Sequence, residues 1–168
     1  MKDVVKLIGI IGIGLFIAII VYPVLHELGH VLVAIIIGSE VLEFNLFPLP
    51  NVLCNVSGVS TVENIMIGAG GIILPFVFST VIYSKKFWIW YIGMVINIIC
   101  LISFVISTIG CVLFLVAEPI ENEDITQILN LCPNTANLWL VGFLVLIGYT
   151  GFRIYKSHPI KHCIEYFD

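Results

Sequence analysis

Charge is what this chain lacks. Only 11% of its 168 residues are Asp, Glu, Lys or Arg, and 60% are apolar, where an ordinary soluble domain carries about a quarter charged residues. No Lys or Arg falls between Lys6 and Lys85, and the mean hydropathy is +1.15. This composition excludes a soluble globular protein and predicts a polytopic membrane protein whose surroundings are the lipid bilayer. The length has room for about four spans with short loops and none for a separate soluble domain. A basic patch suited to nucleic acid is also missing, so no nucleic-acid partner is expected. The five cysteines match no zinc-finger spacing. Cys100 and Cys111 fall in apolar runs and Cys163 in the tail. Cys54 and Cys132 fall in predicted loops on one side, where a disulfide could form. Lys2 and Lys6 precede an apolar core as in a secretory leader, but no small-x-small site follows and the apolar run continues, so no cleavage is expected.

Inside that run stands His26-Glu27-Leu28-Gly29-His30, the pattern H-E-x-x-H. Two residues four apart on a helix share a face. That spacing lets two imidazoles bind one tetrahedral Zn²⁺, with Glu27 beside the water that the metal activates. An ionisable residue in hydrocarbon costs a few kcal/mol or more unless partnered, and a bound metal accounts for three of them within five positions. The competing readings are a hydrogen-bonded packing histidine and a structural remnant of a site.

Residues 4–38 are almost unbroken apolar sequence. As one helix they would be about 52 Å long, beyond a bilayer core of about 30 Å. We read one tilted helix kinked near Pro23, which lacks the N–H for an intrahelical bond; a break into two pieces there is the alternative. Gly9, Gly12 and Gly14 suit close helix packing, and Gly38 reads as the stop. At 1.5 Å per residue, His30 and His26 sit roughly 12–18 Å below the end at Gly38. Residues 41–61 alternate loosely around Pro48-Leu49-Pro50-Asn51, which predicts a short β-hairpin. An exposed edge there could pair with an extended substrate, which makes Phe44, Asn45 and Leu46 candidate substrate-binding residues. An ordinary loop is the alternative.

A second span is expected over 62–83, with Gly68-Ala69-Gly70-Gly71 and Pro75 inside it as packing features. A third is expected over 87–109, with Trp88, Trp90 and Tyr91 as an interfacial belt. Its main polar residue, Asn97, either packs by hydrogen bond or orients substrate. Cys111 to Ala117 extends this helix or re-enters the membrane. The acidic stretch Glu118 to Asp124 precedes a short helix over 125–131, with Asp124 near its N-terminus, a favourable place for a carboxylate. Residues 137–155 are the fourth span, and His158 and His162 read as solvated tail residues. The fold class is thus an all-α polytopic membrane protein, one integral membrane domain with a small β-hairpin after the first span and a re-entrant or loop segment before the last.

Four spans put both termini and the Lys85-Lys86 turn on one side, and all seven Lys and Arg fall there. Glu40, Glu43, Glu63, Glu118, Glu121, Glu123 and Asp124 fall on the other. By the positive-inside rule both termini are cytoplasmic, and the metal site lies nearer the outer face.

A catalytic zinc takes three protein ligands and keeps one open position. His26-Glu27-Leu28-Gly29-His30, the hairpin after it, and Ala69-Gly70-Gly71 through Pro75 resemble the site-2 protease family of intramembrane zinc metalloproteases. In that family a later segment of the type D-G-G-R-[IV]-L supplies an Asp as third ligand. Asp124-Ile125-Thr126-Gln127-Ile128-Leu129 keeps the Asp and the final Ile-Leu at that spacing, without the glycines and the Arg. The resemblance covers roughly 20–130. It implies His26, His30 and Asp124 as zinc ligands, Glu27 as catalytic base and a membrane-protein span as substrate. Glu118, Glu121 and Glu123 compete with Asp124. The family generally places its site nearer the cytosolic face, opposite to the charge count here. The rival readings are a catalytically inactive zinc-binding membrane protein and a metal transporter. Against the transporter, no second set of ionisable residues continues across the bilayer.

Overall fold

The computed structural model describes every residue except Met1, Phe47, Leu49, Tyr83 and 119–123. Four helical stretches, Asp3–Ile37, Thr61–Val81, Phe87–Val116 and Pro133–Phe167, are long and apolar enough to cross a membrane. Each exposes large apolar side chains, among them Ile36, Val81, Val116 and Leu138.

The first stretch is one continuous helical run in three parts: α1 (Lys2–Phe16), a π-helical segment (Ile17–Val21) and α2 (Tyr22–Ile37). Pro23 explains the middle part. It has no N–H to donate, and its ring would crowd the carbonyl four residues back. The wider turn absorbs this, with the Tyr22 N–H donating to the Ile17 carbonyl. The run therefore does not break in two. It ends where expected: Gly38 takes a left-handed φ of 84°, and its N–H donates to Ala34 and Ile35 carbonyls.

The hairpin follows directly. β1 (Val41–Asn45) pairs antiparallel with β2 (Asn51–Cys54), with Glu43 opposite Leu53, Phe44 opposite Val52, and an irregularity at Leu42. The Ser39 hydroxyl donates to the Asn55 carbonyl at 2.6 Å and ties its base. α3 (Thr61–Val81) begins in a capping box. The Ser60 N–H donates to the Glu63 carboxylate, and the Ser60 hydroxyl accepts from the Glu63 N–H.

The tightest packing lies between α2 and α3. A Cβ added at Gly29 would fall on the Gly70 carbonyl, 2.6 Å from its carbon, and one added at Gly70 would fall on the Gly29 carbonyl. Backbone meets backbone, which only glycine allows. Of Gly9, Gly12 and Gly14, expected to pack closely, only Gly14 does: a Cβ there would lie 2.6 Å from the Tyr91 hydroxyl, whereas one at Gly12 meets nothing within 4 Å and one at Gly9 meets only Trp88, at 4.0 Å. Gly29→Ala should therefore destabilise the protein by about 1–3 kcal/mol through overpacking, despite a gain of about 1 kcal/mol in helix propensity. Gly12→Ala should be neutral or stabilising. Thermal unfolding in detergent checks the pair, and equal shifts would contradict the close contact.

α4 (Phe87–Val116) runs past the expected end at 109. Gly110, inside this extension, is a seat for the next element, because a Cβ there would lie 2.9 Å from Ile125. A Cβ at Gly68 of α3 would lie 3.0 Å from Ile128. These two glycines let the short helix α5 (Asp124–Leu131) lie between α3 and α4, where Ile125, Ile128 and Leu129 are fully buried. α6 (Ala136–Lys156) packs on α4 through Phe143 and Phe104. The tail forms a further helix, α7 (Pro159–Phe167), which returns to the bundle. Lys6 Nζ donates to the Tyr166 and Phe167 carbonyls at its end, at 3.0 and 3.4 Å. The Tyr166 ring stacks on Phe87 at 3.8 Å. His162 is accordingly not a solvated tail residue, since it stacks on Trp90 at 4.6 Å.

Candidate metal centre

α2 carries His26 and His30 one turn apart, and α5 brings Asp124 to them. Asp124 Oδ2 lies 2.9 Å from His26 Nε2 and 3.5 Å from His30 Nε2. The two Nε2 atoms are 3.3 Å apart. A tetrahedral ion with bonds of about 2.0–2.1 Å separates its ligand atoms by about 3.3 Å. The three donors therefore already stand near the edges of such a tetrahedron.

Their protonation is directed. His30 Nδ1 lies 2.7 Å from the Ile67 carbonyl, which can only accept, so Nδ1 carries a proton and Nε2 is the nitrogen left for a metal. Asp124 is half-buried. Burial by itself raises its carboxyl, but hydrogen bonds from His26 and His30 outweigh burial and hold it well below the usual carboxylate range. The group thus keeps Asp124 in its anionic, ligating form.

Gly71 of α3 completes the cradle. A Cβ there would collide with His30 Nε2 and come within 2.7 Å of His30 Cε1 and 2.8 Å of His26 Cε1. No substituted residue leaves the donor face open. His26 and Asp124 side chains are 25% and 24% exposed against 9% for His30, so the cluster is closed on the α3 side and open on the other. Among the described residues, no fourth His, Cys, Asp or Glu donor joins these three. A set of two imidazoles and one carboxylate with an open position suits a divalent transition ion.

Glu27 follows His26 on α2 and is half-buried. Its carboxylate lies within electrostatic reach of His26, His30 and Asp124, and the backbone N–H of Val52 in β2 faces it. Cys54 of β2 is close enough that, after burial, the Glu27 charge pushes its thiol up. The strand beside Glu27 is therefore β2. Phe44, Asn45 and Leu46 lie on or just after β1, with Phe44 and Leu46 exposed. The Asn45 amide is spent on Glu43 and Asn51 within the hairpin.

Asn97 is not brought to this group. Its amide donates to the Gly93 carbonyl at 2.9 Å and accepts from the Ser79 hydroxyl at 3.3 Å. Ser79 lies eight residues along α3 from Gly71, about 12 Å at 1.5 Å per residue. The structure gives Asn97 its packing role and corrects the substrate-orienting one. Glu118 is exposed and outside the group; Glu121 and Glu123 lie outside the described residues. Cys54 and Cys132 are both free thiols, so the loop disulfide is not formed.

Three contributors were not anticipated from the residues: Gly71, the Ile67 carbonyl and Val52. The glycine-rich stretch carried a signal, read only as helix packing. A backbone carbonyl or N–H carries none. No family model, curated protein or solved structure matches this chain.

Proposed function

We propose that this chain is a membrane-embedded zinc metalloprotease that hydrolyses peptide bonds in or near transmembrane segments of membrane proteins. The observation that carries this is the meeting of Asp124 with His26 and His30, donors 2.9–3.5 Å apart, with Glu27 next to them and a side left open. A zinc ion bound by these three residues supplies Lewis acidity, lowering the pKa of water it contacts and polarising the scissile carbonyl.

The remaining work falls to the chain itself. Glu27 takes a proton from the attacking water and delivers it to the leaving amine. The charges balance, since the dication is offset by the Asp124 and Glu27 carboxylates with both imidazoles neutral, and a neutral cluster is tolerable in low dielectric. A substrate helix must unwind before its carbonyls can react. Among the described residues the sheet has two strands, and no third strand covers the outer edge of β1, which is left to hold that unwound segment extended. The basic residues gather at the opposite end of the bundle, which by the positive-inside rule makes both termini cytoplasmic.

The test uses zinc-loaded protein in liposomes carrying a membrane-protein extract, with and without chelator. New chain termini inside or beside spans should appear only without chelator. A zinc-loaded, folded protein that yields none would move the assignment to a non-catalytic zinc-binding membrane protein, and zinc flux across the same liposomes would favour a transporter.

A further inference from the structure

At the end of the bundle away from His26 and His30, a cavity of about 360 Å³ opens between the α3–α4 turn, α4 and the α6–α7 junction. That volume lies in the lower part of the range for small-molecule sites, about 300–1,000 Å³. Lys85, Arg153 and Lys156 line it beside His158 and His162, and among the described residues no Asp or Glu does. Among the described residues, none of those three cations pairs with a carboxylate. Like charges gathered on one wall repel and raise the local concentration of anions.

Two of the lining residues, Trp90 and Arg153, each carry a buried donor that is unspent. Among the described residues, neither Trp90 Nε1 nor Arg153 Nη1 has a hydrogen-bond partner, although both atoms are shielded from solvent. Trp90 is only 6% exposed. The other edge of the guanidinium is anchored, with Nη2 donating to the Thr80 carbonyl at 3.2 Å. The Trp90 indole is held by its stack on His162. Both groups are donors only, and a buried donor without an acceptor is unfavourable. What completes them is an acceptor, and beside three positive charges that acceptor is an anion. Several acceptor oxygens on one centre suit donors from two helices, and guanidinium with ammonium is the pairing that phosphate favours.

We propose that this cavity binds a phosphate group, accepting from Arg153 and Trp90 and neutralised by Lys85 and Lys156. The proposal does not depend on the metal centre. Two sources share this chemistry. One is the headgroup of an anionic phospholipid, since the exposed Trp88 lies at this end as interfacial aromatics do and basic pockets between membrane helices hold such headgroups. The other is a soluble phosphate.

The test places the full chain in phosphatidylcholine nanodiscs. Retained phosphatidic acid is counted by native mass spectrometry, and inorganic phosphate is titrated by phosphorus NMR. Phosphatidic acid should be retained at least about 10-fold over phosphatidylcholine, with about a 10-fold loss in Arg153→Gln and a smaller one in Trp90→Phe, as for charge-assisted and neutral donors. Lys161→Gln removes a charge at the same end but outside the cavity lining, and should change nothing. Saturable binding of inorganic phosphate with the same variant order, without lipid preference, would support the site and assign the soluble source. No preference together with no saturable phosphate would overturn it. So would an equal loss in Lys161→Gln, which means diffuse attraction. If Arg153→Gln does not fold, Trp90→Phe, which keeps every charge, decides: unchanged retention overturns the proposal.

Discussion

Glu27→Gln is expected to leave about one zinc per chain in place and to lower cleavage by about 10²–10⁴-fold, the usual size of a general acid–base contribution. The retention follows from geometry, because the three convergent donors belong to His26, His30 and Asp124 and none to Glu27. The loss follows from chemistry. An amide of the same shape still fits beside the Val52 backbone but cannot take up a proton from water. The substitution also removes one of the two carboxylates that offset the dication, yet Asp124 and the open side of the cluster remain to hold and hydrate it. Zinc is measured by elemental analysis and cleavage on a single-span reporter in the same liposomes. Cleavage at the wild-type rate would remove Glu27 from the chemistry. Joint loss of zinc and cleavage would instead make Glu27 a ligand.

Asp124→Ala is expected to weaken zinc binding by more than about 100-fold, because losing even an outer partner of a metal site costs 10–100-fold. Asp124 is the only carboxylate among the described donors, and two neutral imidazoles alone neither complete the site nor balance its charge. The fold should survive. α5 is held by Ile125, Ile128 and Leu129, all fully buried, and not by its first residue. Added zinc therefore separates the two proteins. Saturation at about 100 times Kd stabilises the wild type by about 2.7 kcal/mol, so its unfolding midpoint rises, whereas the variant's does not. Equal zinc content in both would send the search for the third ligand to Glu118, Glu121 and Glu123. Comparing Asp124→Asn alongside separates the lost charge from the lost oxygen.

Several elements were legible because their signals are local. The stop at Gly38 is a backbone requirement of one residue, met by its left-handed φ. The hairpin over 41–54 and the N-terminal place of Asp124 on α5 follow from turn and capping chemistry. Pro23 announced a disturbed ladder, although its π-helical form and the continuity of the run depended on the surrounding helix. What was misread depended on neighbours. The third span is expected from sequence to end at 109, but α4 continues through Gly110, which is a seat for Ile125. Asn97 by sequence stands between packing and orienting substrate, and its neighbours decide for packing, since Ser79 and Gly93 already occupy its amide. The tail sequence reads without structure and with a solvated His162, but it is the helix α7, held by Lys6, Phe87 and Trp90.

The amino-acid sequence by itself determined that the chain is a bundle of long apolar helices and that His26, Glu27 and His30 share one turn of one of them, because hydropathy and an i, i+4 spacing are properties of a continuous segment. Only the tertiary structure decided that Asp124, almost a hundred residues on, meets that turn, that Gly71 leaves the donor face open, and that the Ile67 carbonyl sets the His30 tautomer. It alone brought Trp90, Arg153 and Lys85 around one cavity. Each is a distance between segments. Such distances are set by where glycine lets one helix approach another, at Gly29 and Gly70, Gly68 and Ile128, Gly110 and Ile125, and close packing of that kind is a property of pairs of surfaces that no single stretch of sequence contains.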